Sequence, residues 1–317
     1  MLKIGFLVCA HGNLRTVQKL CKVYVRNKVD AIVLNGDLNN DEQPKKSMFC
    51  VLTVLARTKL PVYVMPGSHE PVNDYGFVLK KLKKYKNLID CTQKQLFTVH
   101  GIDLVFLPGS DWLGGQGGFQ ILSTKKDVSA RVQQLKRAGV VRALQFFFMN
   151  QLLKKVRNPQ KTLVISHVPP KFTTPAAIDV AEYCVNYKAF FLQPRHAFKM
   201  GVLPQHWKAD PFAKSHLFTR NQYVLLKNWG YPVKLRRENR GNSELAKLLK
   251  KYKIKHFVCG HFHESGHKAC DRKGKLLEPN TWHKELFYNA AAATNGNGGI
   301  VIMDNERIQF QNVAIKS

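Results

Sequence analysis

Hydrophobic and polar positions alternate in a regular way along the first hundred residues of the chain. Short continuous apolar runs of strand length are separated by stretches in which apolar residues recur at the spacing of a helix facing a core. The pattern predicts a strand over 3–10, a strand ending in a loop over 30–37, a strand and loop over 60–70, and helices over 13–27, 44–57 and 74–86. Strands alternating with helices of this length are typical of βαβ units, so we expect a mainly parallel sheet.

The rest of the chain continues this pattern with one irregular stretch. The predicted elements are a hairpin over 95–109, a long helix over about 125–157 with Gly139 as a potential break, and a strand over 161–170. A helix over 243–253 and a strand and loop over 255–266 follow, and two late strands over 286–289 and 298–303 lead into 307–313. Residues 171–240 are rich in proline and aromatic residues and have weak periodicity. We interpret them as an insertion within a single domain spanning 1–317.

Side chains capable of binding metal follow five of the predicted strands. They are Cys9, His11, Asp37, Ser68, His69, His167, His261 and His263. One histidine in a loop is usually an ordinary surface residue. Because ligands of such sheets gather at the carboxyl ends of strands, five polar strand ends together predict one shared site.

These strand ends carry ordered motifs of a known family. The chain shows CAHG at 9–12, GD at 36–37, GSHE at 67–70, SH at 166–167 and GHFH at 260–263. In order and spacing it resembles the calcineurin-like metallophosphoesterases, and it is similar to archaeal members around 177–183 and 230–235. The resemblance implies an α/β fold, a four-layer α/β sandwich in which helices flank two central sheets.

The resemblance also implies a role for each strand-end residue. In the family, two metal ions clamp the attacking and leaving oxygens of a phosphoester. The first metal would take positions 9, 11, 37 and 263, and the second would take 37, 68, 167 and 261. His69 would stabilise or protonate the leaving group. If any metal is bound, we expect zinc or manganese.

Two positions depart from the family pattern, because Cys9 stands where the family has aspartate and Ser68 where it has asparagine. A thiolate is softer than a carboxylate and favours zinc over manganese or magnesium. Burial at the end of a strand disfavours the thiolate, and a small buried hydrophobe is the commonest role of a free cysteine. A serine hydroxyl is a short, poor neutral donor. The enzymatic status is therefore open, and the two changes favour a degenerate site.

The charge of the chain is far from balanced. Fifty Lys and Arg against 21 Asp and Glu give a formal net charge of +29 and a pI near 9.9. Such an excess repels itself unless a polyanion neutralises it, and nucleic acid is the polyanion that we favour. A surface bias without a partner and an anionic membrane surface are the alternatives. No apolar run is long enough to cross a membrane, so we expect no membrane partner.

Basic residues are densest between Lys125 and Lys161, where ten bases accompany one acid, Asp127. The positions that we expect to contact a nucleic-acid backbone are Arg131, Lys136, Arg137, Arg142, Lys154, Lys155 and Arg157. A solvated helix face is the alternative. Further basic clusters lie at 81–86, 234–239 and 250–255. No sequence-specific binding module is visible, so the contacts should read the backbone and not the bases.

Three functional hypotheses follow. The first is a degenerate metallophosphoesterase that binds nucleic acid, RNA being favoured, with a ribosome-associated structural role as one form of it. The second is an active metal-dependent phosphodiesterase or nuclease, and the third is a protein that keeps one zinc for structure or regulation. Seven cysteines without C-x-x-C spacing favour a reducing, cytoplasmic setting. The oligomeric state is left open.

Overall fold

A computed structural model describes residues 1–112, 117–137, 143–186, 188, 193, 195–196, 217–218 and 220–315. The chain divides into two compact units, one formed by Met1–Asp179 with Arg240–Ser317 and the other by Val180–Asn239. The second unit falls within the predicted insertion. That the chain is a single domain over 1–317 stays a prediction.

The first sheet of the larger unit combines the amino-terminal strands with the last two of the chain. Its strands are β1 (Leu2–Val8), β2 (Ala31–Asn35), β3 (Val62–Met65), β4 (Leu88–Asp90), β16 (Asn297–Asp304) and β17 (Arg307–Ala314), in the order β17-β16-β1-β2-β3-β4. β1 to β4 run parallel, and β16 and β17 pair antiparallel. Helices α1 (Leu14–Arg26), α2 (Pro44–Ala56) and α3 (Val72–Lys81) connect the parallel strands. The predicted βαβ units are confirmed.

The second sheet of this unit also has six strands. They are β5 (Leu96–Val99), β6 (Ile102–Leu107), β9 (Thr162–Ser166), β13 (His256–Cys259), β14 (Ala269–Cys270) and β15 (Leu286–Asn289), in the order β14-β15-β13-β9-β6-β5. The four central strands are parallel and the two edge strands antiparallel. Helices α5 (Met149–Leu153) and α7 (Ser243–Lys251) cover its outer face.

Three apolar clusters define the layers. One lies between the two sheets and includes Phe6, Val33, Phe106 and Tyr288. In the second cluster, the helices α1, α2 and α3 pack against the outer face of the first sheet. In the third, α5 and α7 pack against the outer face of the second sheet. Burial of both faces of each sheet gives the expected four-layer α/β sandwich.

The single long helix predicted over 125–157 is wrong. The region instead holds α4 (Val128–Arg137), β8 (Gln145–Phe148) and α5. β8 pairs in parallel with β7 (Phe119–Leu122), and the Phe147 ring stacks 6.5 Å from the Phe119 ring. Aromatic residues fit a pleated, half-buried strand, and here cross-strand packing outweighs the helical spacing of the flanking residues.

The smaller unit contains an antiparallel three-stranded sheet. Its strands are β10 (Val180–Asn186), β11 (Leu217–Phe218) and β12 (Val233–Asn239), with β10 in the centre. Helix α6 (Arg220–Asn228) precedes β12. The middle of β12 is exposed and basic, with Lys234, Arg236 and Arg237 open to solvent.

Candidate metal centre

The predicted strand-end residues converge on one site at the carboxyl ends of five strands. Cys9 and His11 follow β1, Asp37 follows β2, and Ser68 and His69 follow β3 of the first sheet. His167 follows β9, and His261 and His263 follow β13, both in the second sheet. The site therefore lies where the two sheets meet at their carboxyl edges.

Backbone hydrogen bonds hold the loops of the site together. The Cys9 N–H donates to Gly36 O at 3.1 Å, and the His11 N–H donates to Asp37 O at 2.8 Å. The Asn35 amide donates to Ser166 O at 2.8 Å and so links the end of β2 to the end of β9. Gly36 has φ +71°, and a Cβ there would collide with the His167 ring. The glycine of the GD motif thus lets this ring approach Asp37.

Four of the site residues have left-handed backbone conformations. The φ angles are +54° at Cys9, +44° at His11, +52° at Asp37 and +69° at His261. For a residue with a Cβ this region costs about 1–2 kcal/mol. Such strain is commonly stored at functional sites, and here it turns consecutive side chains toward one point.

Two groups of donor atoms are close enough to surround an ion. Cys9, His11 and His263 form one group, and Cys9, Asp37 and His167 form the other, with donor atoms within 4.8 Å of one another in each. The His11 and His263 rings lie 5.3 Å apart, and the His167 and His261 rings lie 5.0 Å apart. The first group consists of positions that the resemblance assigned to one metal, and the second joins Cys9 to two positions assigned to the other.

His167 shows that the residues present fit a metal ion. Its Nδ1 lies 3.3 Å from Asn35 O, which fixes the tautomer with the proton on Nδ1. Its buried Nε2 lies 3.0 Å from Asp37 Oδ2, and His167 belongs with Asp37 and Cys9 to the second group of donors. Burial lowers the pKa of His167, but the charge of Asp37 and the hydrogen bond to it outweigh this and raise the pKa, so a bound cation would replace the proton on Nε2. An imidazole nitrogen, a carboxylate and a thiol turned toward one point have the chemistry of a metal site.

Both the N–H and the hydroxyl of Ser68 form hydrogen bonds to Asp37. Its N–H donates to Asp37 Oδ1 at 2.7 Å, and its hydroxyl lies 3.0 and 3.2 Å from the two Asp37 oxygens. Its hydroxyl therefore occupies lone pairs of the carboxylate that would bridge two metals.

The family model described as calcineurin-like phosphoesterase matches residues 2–265. The chain belongs to the calcineurin-like phosphoesterase family. No curated protein sequence gives a significant match to this phosphoesterase.

Solved structures resemble this chain at low sequence identity. The protein TT1561 of Thermus thermophilus is 10% identical and matches over 98% of both chains with a TM-score of 0.52. A dimetal phosphatase from Danio rerio is 11% identical over 99% of both chains, with a TM-score of 0.49. At these identities the likeness to the Thermus protein supports the fold alone.

Asp37 of the phosphoesterase is the anionic centre of the site. Burial would raise the pKa of this carboxyl, but His167 beside it, helped by His69 and His11, holds the pKa well below its usual range. An ionised carboxylate here can bind a cation.

The imidazoles of His11, His261 and His263 have lowered pKa values, in contrast to those of His167 and His69. Burial lowers the pKa of His261 to about 3 and that of His263 to about 4, and it lowers the pKa of His11 as well. Neutral imidazole is the form that binds metal.

Cys9 is buried completely in the core between the sheets. Burial, with the charge of Asp37, raises the pKa of its thiol well above the usual range. In the protein alone, Cys9 is therefore a neutral thiol, and only a bound cation would make it a thiolate ligand.

His69 lies beside a residue that the motifs did not single out. Its Nδ1 is 2.8 Å from Asp41 Oδ1. Burial lowers the pKa of His69, but the hydrogen bond to Asp41 and the charge of Asp37 outweigh this and raise the pKa to about 9. His69 is therefore a cation at neutral pH, as a group that protonates a leaving oxygen must be.

Glu70 and Trp112 were also missed by the sequence analysis. Glu70 is buried and accepts the N–H groups of Leu38 and Gly67 at 2.5 and 2.6 Å, which ties the loop after β2 to the loop after β3. Trp112 is 43% exposed, and its ring lies 5.7 Å from that of His261. The signal for Glu70 was the last letter of GSHE, whereas Trp112 follows no pattern.

The predicted nucleic-acid contacts do not share one helix. Arg131 is buried, and its guanidinium donates to Gln120 Oε1 at 2.8 Å and to Asp111 O, so it is committed inside the protein. The exposed positions are Lys136 and Arg137 at the end of α4, and Lys154, Lys155 and Arg157 after α5. Arg142 lies outside the described residues.

Within the described ranges, none of the helices combines the length and the apolar character that crossing a membrane would require.

Proposed function

We propose that this phosphoesterase-fold protein acts by binding nucleic acid, RNA being favoured, with a metal centre weakened for two-metal catalysis. The proposal rests on the distribution of charged residues between the surface and the interior. Within the described part of the chain, the carboxyl groups of Asp37, Glu70 and Asp179 are buried, while Arg131 alone is buried among the lysines and arginines. The surface is therefore even more cationic than the net charge of +29 indicates.

The geometry of Cys9 and Ser68 supports the second half of the proposal. The Cys9 thiol is protonated unless a cation displaces its proton, and the Ser68 hydroxyl bonds to the carboxylate that would bridge two ions. Cys9 belongs to both groups of donor atoms, and Ser68 engages the carboxylate of one of them, so both changes weaken the hold on a metal ion. Changes even outside the direct ligands of a metal typically cost about 10–100-fold in affinity or activity.

The test is the affinity for RNA as a function of salt. We expect binding of a stem-loop RNA with a steep salt dependence, because the logarithm of the binding constant falls by about 0.7–0.9 per phosphate neutralised for each tenfold rise in salt. Co-sedimentation with ribosomal subunits at moderate salt would extend the proposal to the ribosome. Failure to bind RNA at about 0.15 M salt would overturn it.

A metal-dependent phosphodiesterase is the second candidate, favoured by the His69–Asp41 pair. Cys9, His11, Asp37, His167, His261 and His263 would hold the metal, which would supply Lewis-acid stabilisation of a phosphoryl group. His69 would carry a proton toward the leaving oxygen. Turnover of bis-p-nitrophenyl phosphate with Mn²⁺ or Zn²⁺, lost in Asp37→Ala, would establish this activity.

Metal analysis separates both functions from a structural role of the centre. One equivalent of zinc without turnover would favour zinc as a structural or regulatory ion. Two equivalents with rapid turnover would favour the enzyme.

A further inference from the structure

The outer helices of the first sheet carry a charge pattern that the metal centre does not use. We call the solvent side of α1, α2 and α3 the basic helical layer. It contains four basic residues on α1, two on α2 and two on α3, against one acid, Asp74. Lys45 Nζ lies 3.2 Å from that acid, so even this charge is neutralised. Helix surfaces normally mix both signs, so this layer is unusual.

The four bases of α1 form a single row. Arg15, Lys19, Lys22 and Arg26 are separated by four, three and four residues, which places them on one face of the helix. Arg15, Lys22 and Arg26 are exposed. At 1.5 Å per residue, neighbours in the row stand about 5–6 Å apart along roughly 16 Å. A linear row of cations at this spacing suits a chain of phosphates.

Two exposed aromatic rings lie among the cations of α2 and α3. Phe49 is 42% exposed and Phe77 is 50% exposed. The ammonium groups of Lys45 and Lys81 each lie 5.5 Å from the centre of the Phe77 ring. A half-exposed ring offers a stacking face for a base once the ammonium groups over it turn to the phosphates beside that base.

The helices bury their apolar faces, so the layer has no apolar stripe to insert into lipid. Val17, Leu20 and Tyr24 of α1, and the corresponding positions of α2 and α3, pack into the core against the first sheet. A helix that lies in a membrane interface needs an open apolar face. The remaining exposed rings are isolated between charges, as in surfaces that bind unpaired bases.

We propose that the basic helical layer is the RNA-docking surface of this protein, with the α1 row along the phosphate backbone and Phe77 against an unpaired base. This inference rests on the proposed function and specifies its site. Lys83 and Lys84, both exposed after α3, extend the same cationic surface. None of the basic residues of the layer is among the candidate metal donors, so binding and any residual chemistry should be separable by substitution.

The test compares two triple variants with the same loss of charge. The first is Arg15→Ala/Lys22→Ala/Arg26→Ala on α1. The matched control is Lys247→Ala/Lys250→Ala/Lys251→Ala on α7, which covers the other sheet. Alanine keeps both helices stable. Loss of three phosphate contacts should weaken binding of a stem-loop RNA about 100-fold at 0.1 M salt and lower the salt slope by about 2.

Phe77→Leu tests the stacking contact. It should weaken binding of the stem-loop RNA about tenfold but leave binding of the same stem as a blunt duplex unchanged. Equal weakening for both RNAs would overturn the assignment of Phe77.

The outcomes separate this inference from the function on which it rests. Equal affinities of the two triple variants, in a protein that binds RNA, would overturn the docking surface and leave the proposed function standing. An unmodified protein that fails to bind RNA would overturn the proposed function. Tighter binding to phosphatidylserine vesicles than to RNA, lost in the α1 variant, would assign the layer to a membrane and overturn the inference.

Discussion

At the scale of single residues, Cys9 and Ser68 decide how the centre can work. Both sit where the family pattern put them, and both turn inward. Cys9 contributes a donor to each of the two candidate metal groups, yet its thiol keeps its proton in the protein alone. Ser68 satisfies Asp37 with hydrogen bonds from its N–H and its hydroxyl. The donor atoms of the centre are thus close together, but two of them, the Cys9 thiol and the Ser68 hydroxyl, are weak metal ligands.

The His69–Asp41 pair gives a prediction at this scale. Asp41→Asn should bring the pKa of His69 down from about 9, because the hydrogen-bonded carboxylate that stabilises the imidazolium is lost. NMR titration of chelator-treated protein, with His69→Gln to assign the signal, measures this pKa. An unchanged titration in Asp41→Asn would show that other charges hold the proton on His69.

The same pair fixes the direction of a pH effect on stability. The folded pKa of His69 is above its ordinary value of 6.5, so its stabilising contribution is complete below about pH 6.5 and is lost as the pH rises through about 9. The difference in unfolding free energy between the wild type and Asp41→Asn should therefore shrink over this interval. Urea unfolding at several pH values would check it.

The strand-end ligands could be located from the sequence because they follow short continuous apolar runs of strand length. Asp41 could not be found in this way, since it lies in a polar loop where neighbouring side chains are equally plausible partners. Arg131 was misassigned for a related reason. Composition shows that a segment is basic, but only tertiary packing shows that this guanidinium points inward to Gln120.

At the scale of elements, the contact of α1 with the first sheet depends on one tyrosine and two glycines. Tyr24 is fully buried, and its hydroxyl donates to Phe6 O on β1. A Cβ at Gly298 would collide with the Tyr24 hydroxyl, and a Cβ at Gly5 would lie 2.7 Å from the Tyr24 ring. The helix therefore sits close to β1 and β16 because these strands lack side chains there.

This contact predicts a specific pattern of rescue. Gly298→Ala and Gly5→Ala should each destabilise the protein by about 1–3 kcal/mol through overpacking. Tyr24→Phe removes the hydroxyl that the Gly298 Cβ would meet but keeps the ring that the Gly5 Cβ would meet. In the double variants it should therefore restore most of the stability lost in Gly298→Ala and little of that lost in Gly5→Ala. Denaturant unfolding of the single and double variants measures both coupling energies. Equal coupling in the two pairs would contradict the packing described.

Elements with a clear pattern of apolar residues could be predicted from the sequence, whereas β7 and β8 could not. The first three strands and helices lie within a few residues of their predicted bounds. Residues 145–148 were assigned to a helix because the window around them has helical spacing. The pairing partner that makes them a strand lies some 25 residues away, at β7, and no local pattern carries that information.

At the scale of the whole molecule, the surface is a cationic shell, since the described part of the chain buries three acids but one arginine. Mutual repulsion within such a shell destabilises the compact state. We expect the melting temperature to rise with ionic strength and to rise further with a stoichiometric polyanion, which binds the folded state. Calorimetry across a salt series would measure this. A melting temperature indifferent to salt would mean that the charges lie too far apart to matter.

Because the backbone at several donor positions is left-handed, glycine is a better substitution than the customary alanine for removing a donor side chain. Alanine keeps the Cβ that makes φ +44° costly at His11, whereas glycine releases about 1 kcal/mol as it deletes the partly exposed ring. A glycine knockout at His11 should thus be more stable than the corresponding alanine knockout. Any activity that disappears with it can then be attributed to the missing imidazole and not to a damaged scaffold.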